Sequence, residues 1–185
     1  RKNEVRLYWR PLQKLRVDYS TALYLEDAER YRYGQKDSQH PGEVPTSRWE
    51  VQQYADDVHA LHPLPGTPPG EYRLVTGVYS VDGGLDVLTP QGPAGHYVDV
   101  GAFTVPRAGR PPSIAELAPQ VVSERSFGDF TLLGYDIDRP AVEPGTPFYV
   151  TLYWQATRAL PAGTLLELVL RRGDDVLASV TAPLT

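Results

Sequence analysis

Cysteine is missing from the chain altogether, and with it go disulfides, thiolate metal sites and cysteine nucleophiles. A cysteine-free chain suits reducing and oxidising compartments alike, so location has to be argued from other features. No apolar run approaches the roughly 18 residues that a membrane-spanning helix needs, which excludes a helical span within this segment. Basic clusters are missing too. The 18 basic side chains are outnumbered by 23 acidic ones, for a net charge of −5, and the basic residues that adjoin are short pairs such as Arg171-Arg172. Nucleic-acid binding relies on clustered cations that displace counterions from phosphates, so no nucleic-acid partner is expected. There is no Gly-x-Ser-x-Gly elbow and no Gly-x-x-x-x-Gly-Lys phosphate loop, which leaves nucleophilic hydrolases and nucleotide enzymes without support. Methionine is absent, and Arg1 opens in the middle of a strand-like pattern. The chain therefore reads as a piece of a longer polypeptide, with any signal peptide or membrane anchor outside it.

What is present points to strands. Among 185 residues are 16 Gly, 18 Pro and 12 Tyr, a mixture suited to short strands joined by turns. Val5, Leu7 and Trp9 alternate with Arg6, Tyr8 and Arg10, and Tyr19, Thr21, Leu23 and Leu25 continue the period-two pattern, with Tyr31 to Gln35 as a short return. These read as half-buried antiparallel strands. Residues 39–45 form a loop with two prolines, residues 54–61 a strand, and residues 62–70 a connection with four prolines. Tyr72, Leu74, Thr76 and Val78 alternate again, Asp82-Gly83-Gly84 turns into Leu85 to Leu88, and Tyr97 to Val105 closes the series. Residues 107–126 read as a Pro-rich linker, with one helical turn introduced by the capping box Ser113-Ile114-Ala115-Glu116. Strand patterns resume at Phe130 to Ile137, Pro147 to Gln155, Leu165 to Arg171 and Val176 to Val180.

An internal repeat runs at an offset of 145. Val5, Leu7, Tyr8, Trp9, Leu15, Leu23 and Leu25 recur as Val150, Leu152, Tyr153, Trp154, Leu160, Leu168 and Leu170, seven identities in 21 ungapped positions. They fall mainly on one face of each strand, so one core environment is expected to be built twice, with Trp9 and Trp154 as matching anchors. The expected fold is all-β: an immunoglobulin- or fibronectin-like antiparallel β-sandwich over residues 1–106 that lacks its first strands, and opening strands of a second copy over residues 127–185. Cut sandwiches present unpaired edges. The second segment is thus expected to dock on the first or to be exchanged in a strand-swapped homodimer.

Chemistry-bearing patterns are sparse. Pro68-Pro69-Gly70-Glu71-Tyr72-Arg73-Leu74 reads as a tyrosine corner, with Tyr72 bonding back to the turn and Leu74 in the core. His59 and His62 have a metal-pair spacing, but in strand-like chain residues three apart point to opposite faces. Asp56-Asp57, Asp136 with Asp138, and Asp174-Asp175 lack the ligand spacing of a calcium loop and read as solvated turn carboxylates. No metal and no cofactor is expected, and no catalytic residue is assigned. Tyr8, Tyr24, Tyr31, Tyr33, Trp49 and Tyr54 are rings flanked by Arg and Asp. Trp49, Tyr31, Tyr33 and Tyr54 are the candidate ligand-binding residues, able to stack on a glycan or hold a protein. Their structural alternative is that Trp49 covers an open end of the sandwich and the tyrosines shield edge strands.

Several of these stretches resemble a known family. Leu7-Tyr8-Trp9, Gln35-Lys36-Asp37, Pro45-Thr46-Ser47-Arg48-Trp49, Asp57 and Pro69-Gly70-Glu71-Tyr72-Arg73-Leu74-Val75-Thr76-Gly77-Val78-Tyr79 resemble β-sandwich modules found in tandem in extracytoplasmic regions of bacterial membrane proteins. Many of those proteins look like lipid-linked-sugar glycosyltransferases of the protein-mannosyltransferase type. Phe127-Gly128, Leu133-Gly134-Tyr135, Pro144-Gly145 and Val150 to Trp154 are similar to the opening of the next module. Val51-Gln52-Gln53 departs from the pattern, standing where these modules have a Pro-Gly-Glu turn. The resemblance implies architecture and an extracytoplasmic location and supplies no active site.

The function expected from these readings is non-catalytic: a structural or interaction appendage of a larger membrane-associated protein, whose partner is the rest of that polypeptide. The first alternative is a carbohydrate-binding module with an aromatic surface. The second is a glycoside hydrolase fragment, which requires a cleft holding two carboxylates about 5 to 10 Å apart.

Overall fold

The computed structural model describes residues 4–80 and 97–184. The chain is mostly strand, with every strand pairing antiparallel, and divides into two compact units, Arg1–Pro111 and Pro112–Thr185.

In the first unit, β1 (Glu4–Trp9) pairs with β4 (Ala55–Ala60), and a second sheet has the order β3 (Arg32–Ser38), β2 (Ser20–Glu26), β5 (Gly70–Tyr79), β6 (Val98–Val105). β1 keeps the alternation of its sequence: Val5, Leu7 and Trp9 are half-buried, while Arg6 and Tyr8 are exposed. One hydrophobic core joins the two sheets. Leu23 and Leu25 of β2, Tyr72 and Leu74 of β5 and Leu61 after β4 are buried together, with Val5 and Leu7 packed against them. Burying a Leu side chain contributes about 1.5–3 kcal/mol, so this cluster is the principal apolar stabilisation of the unit.

β2 departs from the half-buried expectation, since all seven of its residues are buried. It is a central strand with neighbours on both edges, and its outer face is covered as well. The Arg32 guanidinium lies 3.7 Å from the Tyr24 ring centroid and 5.4 Å from that of Tyr97, and its Nε donates to Glu26 at 3.2 Å. Arginine can cover a ring this way because its flat cation stacks on π faces. Burial pushes the Tyr24 phenol up to about 12, against the pull of Arg32.

The turns follow their chemistry. The Tyr72 hydroxyl donates to the Pro68 carbonyl at 2.7 Å, which closes the proline-rich corner before β5 and leaves Leu74 in the core. After Trp49 the backbone turns through Glu50 to Gln53, where the Gln53 N–H donates to the Glu50 carbonyl at 3.1 Å. Gln52 sits there at φ 77°, a left-handed conformation that side chains with a Cβ resist. The turn at Asp82-Gly83-Gly84 and the strand at Leu85 to Leu88 lie outside the described residues.

The second unit begins with a single helical turn, α1 (Ile114–Leu117), whose Ser113 and Glu116 make the reciprocal capping-box bonds read from the sequence. Residues 121–126, expected to be linker, instead belong to β7 (Val121–Phe127). Val121 and Val122 start this strand, and Ser123 to Ser126, which look like polar linker in isolation, are carried by pairing to β8 (Phe130–Ile137). The unit thus has five strands rather than four: the sheet β7-β8-β9, with β9 at Val150–Ala156, and the hairpin of β10 (Leu165–Arg172) and β11 (Asp175–Pro183). Gly134 is obligatory at the β7–β8 pairing, where a Cβ would collide with the Val121 carbonyl and lie 2.8 Å from the Pro119 ring. Trp154 makes edge contacts with Phe127 and Phe130, with ring centroids 5.7 and 5.3 Å away.

Two substitutions test these readings with opposite signs. Gly134→Ala should destabilise the second unit by about 1–3 kcal/mol through overpacking; amide exchange should quicken across Val121–Phe127 and stay unchanged in β2 and β5. Gln52→Gly should stabilise the first unit by about 0.5–1 kcal/mol, the relief of left-handed strain exceeding the entropy of glycine, seen as a higher urea midpoint.

Candidate functional site

β4 reads Ala55-Asp56-Asp57-Val58-His59-Ala60, and strand alternation turns Asp57 and His59 inward with Leu61. Both polar residues are enclosed, at 2% and 0% exposure. A buried carboxylate is costly unless donors surround it, and here they come from three strands. Asp57 Oδ2 accepts from Thr21 Oγ1 of β2 at 2.7 Å and Trp9 Nε1 of β1 at 3.0 Å, and lies 2.8 Å from His59 Nε2. His59 Nδ1 lies 3.2 Å from the Lys36 carbonyl of β3. Both ring nitrogens therefore face acceptors, and each bond is made where that nitrogen carries a hydrogen. Burial alone raises the Asp57 carboxyl, but the bonds from His59, Thr21 and Trp9 outweigh it and bring the group below its ordinary value. Closed off from solvent, the pair offers a substrate no reactive face.

On the other side of Trp9 the unit opens into a cleft of about 450 Å³, within the usual range of ligand sites. Leu7 and Trp9 of β1 form one wall, and Thr76 and Val78 of β5 with Val98 and Val100 of β6 form the floor. Trp49 also lines it, its Nε1 donating to the Val44 carbonyl and the Trp49 carbonyl accepting from Lys14 Nζ, both at 3.3 Å. Among the described residues the lining includes no Asp or Glu.

The lining's polar groups are largely engaged within the fold. Thr21 and Trp9 donate to Asp57, and Thr76 Oγ1 donates to the Ala22 carbonyl at 2.9 Å. Thr46 Oγ1 accepts from the Tyr19 N–H at 2.8 Å. Arg10 also lines the cleft, its guanidinium 5.8 Å from the Tyr54 ring centroid.

The four candidate ligand-binding residues are not gathered on one platform. Trp49 lines the cleft, whereas Tyr31, Tyr33 and Tyr54 do not. Tyr31 and Tyr33 are edge to face at 4.8 Å, and Tyr33 meets Tyr72 at 5.1 Å while packing on the core. Burial first, then Asp27, raises the Tyr33 phenol well above its ordinary value. Tyr54 stands apart, 68% exposed beside Arg10. His62 is exposed and His59 buried.

Asp57, expected as a solvated turn carboxylate, is instead sealed in β4 with His59; the sequence signal for this is two polar residues at the inward positions of a strand that leads to Leu61. The cleft had no such signal, because its lining comes from strands and loops far apart in the chain.

The network makes stability acid-sensitive in a defined direction. Because the Asp57 carboxyl lies lower in the folded than in the unfolded chain, its contribution is full above the unfolded value of about 3.9 and is lost as pH falls through the folded value. Urea titrations should show the first unit weakening below about pH 4, and Asp57→Asn should flatten that slope. Asp57→Ala, which leaves His59, Thr21 and Trp9 without their shared buried acceptor, should cost about 1–3 kcal/mol at neutral pH. Compared with known proteins, the chain matches no protein-family model, no curated protein and no solved structure.

Proposed function

We propose that the chain is a non-catalytic interaction module of immunoglobulin-like β-sandwich type, belonging to a larger membrane-associated protein and working outside the cytoplasm. The observation that carries the reading is the cleft, an apolar recess lined by Trp9, Trp49 and residues of β5 and β6, with no carboxylate among the described residues of its lining. Such a surface binds by excluding water. The sandwich type is supported by the Tyr72 corner and by the common core of the two sheets.

The repeat supports a tandem arrangement. At the offset of 145, β1 corresponds to β9, and the β2–β3 hairpin to the β10–β11 hairpin. The extracytoplasmic setting rests on the family resemblance of residues 5–105 and 127–170. A glycan reading fares less well, since sugars need several outward polar groups and this lining directs Trp9, Thr21, Thr76 and Trp49 donors into the fold. Tyr31 and Tyr33 pair with each other away from the cleft and Tyr54 stands beside Arg10, so the four rings do not form one stacking platform with Trp49.

An environment-sensitive apolar dye tests the proposal. It should bind the full chain at one saturable site, and Trp49→Ala should weaken binding about tenfold, or about 1.4 kcal/mol, with little loss of stability. Saturable binding of an oligosaccharide abolished by Trp49→Ala would establish the carbohydrate reading instead.

A further inference from the structure

The partner class of this cleft can be read from the strands beside it. β1 pairs with β4 on one edge and with no other strand among the described residues. None of the β4 residues lines the cleft, whereas Leu7 and Trp9 of β1 do. The cleft thus reaches from the β1 side chains Leu7 and Trp9 to Thr76 and Val78 of β5 and Val98 and Val100 of β6, and is lined further along by Leu12, Leu15 and Trp49. Val98 and Val100 are 37% and 41% exposed. A strand added to the edge of β1 away from β4 would run about 4.8 Å from β1, in the layer that lies about 10 Å over an opposing sheet, the height needed to cover the floor.

The second unit displays the same strand with such a neighbour. β9, the repeat counterpart of β1, carries β8 along an edge, with Leu132 opposite Trp154 and Tyr135 opposite Leu152. Phe130 of β8 then covers the Trp154 ring at 5.3 Å. Trp9 and Leu7, the counterparts of Trp154 and Leu152, have the cleft in that place.

We propose that the first unit accepts an antiparallel polypeptide strand along the edge of β1 that carries no strand among the described residues, the strand's apolar side chains filling the cleft between Leu7, Trp9 and the β5–β6 residues. This deepens the interaction-module reading and rests on it. The partner is an extended segment of β8 chemistry, with bulky apolar residues spaced to fall on one face. Main-chain bonds to β1 would supply affinity and the apolar side chains selectivity, which is how sheet edges recognise peptides. Small apolar molecules would gain the burial without the main-chain bonds.

A synthetic peptide with the sequence of residues 127–139, added to the full chain, tests this. Binding should be saturable, displace the apolar dye and slow amide exchange of the β1 segment at least tenfold. The same peptide with proline in place of Thr131, or scrambled so that its apolar residues no longer share a face, should lose at least tenfold in affinity. On the protein side, Val100→Asp should weaken the peptide by a similar factor; Val100 is exposed enough for the change to leave the fold intact, and thermal unfolding checks that. Dye binding with no effect of any peptide on β1 exchange would overturn the strand proposal and leave the module reading standing. Failure of both dye and peptide would remove both. Protection of β1 that appears only with self-association in sedimentation would assign the edge to a second copy and overturn the proposal.

Discussion

A single carboxylate oxygen organises the first unit. Asp57 Oδ2 gathers the Trp9 indole, the Thr21 hydroxyl and the His59 ring, so that β1, β2 and β4 are fixed at one buried point. His59 extends the link to the β3 backbone. Because the donors come from both sheets, the network sets how one sheet lies on the other, which apolar contacts alone specify loosely. In a low-dielectric interior such a cluster is stable only when complete, and no buried side-chain nitrogen or oxygen among the described residues lacks a partner.

That anchoring shapes the cleft. With its indole N–H directed at Asp57, Trp9 presents ring to the recess, and Thr21, likewise engaged, contributes its surface rather than a free donor. The same bonds that hold the sheets together thus leave the neighbouring cavity apolar. Binding surface and structural crosslink share residues, so changes at Trp9 or Thr21 would confound affinity with stability, whereas Trp49 and Val100 lie outside the network.

The repeated tryptophans show how much one sequence pattern leaves open. Trp9 and Trp154 occupy corresponding strands, but the first is bonded to a carboxylate and the second is packed among phenylalanines. Leu25 is fully buried, while its counterpart Leu170 is 45% exposed, because β2 has a strand on each side and β10, among the described residues, pairs with β11 alone. Identical side chains acquire different burial from the strands placed beside them.

Alternation in β1 and β5, the Ser113–Glu116 capping box and the Tyr72 corner were all legible in the chain, because each depends on residues within a few positions of one another. The burial of both faces of β2, the recruitment of Val121–Phe127 into a sheet and the dispersal of Trp49, Tyr31, Tyr33 and Tyr54 were not. Each depends on which distant strand lies alongside. Local spacing by itself determined an all-β chain with its turns and much of its inward face. Only tertiary packing decided that Asp57 and His59 would be sealed inside and that an apolar cleft would open beside β1, since both are made by segments that meet through folding rather than through sequence.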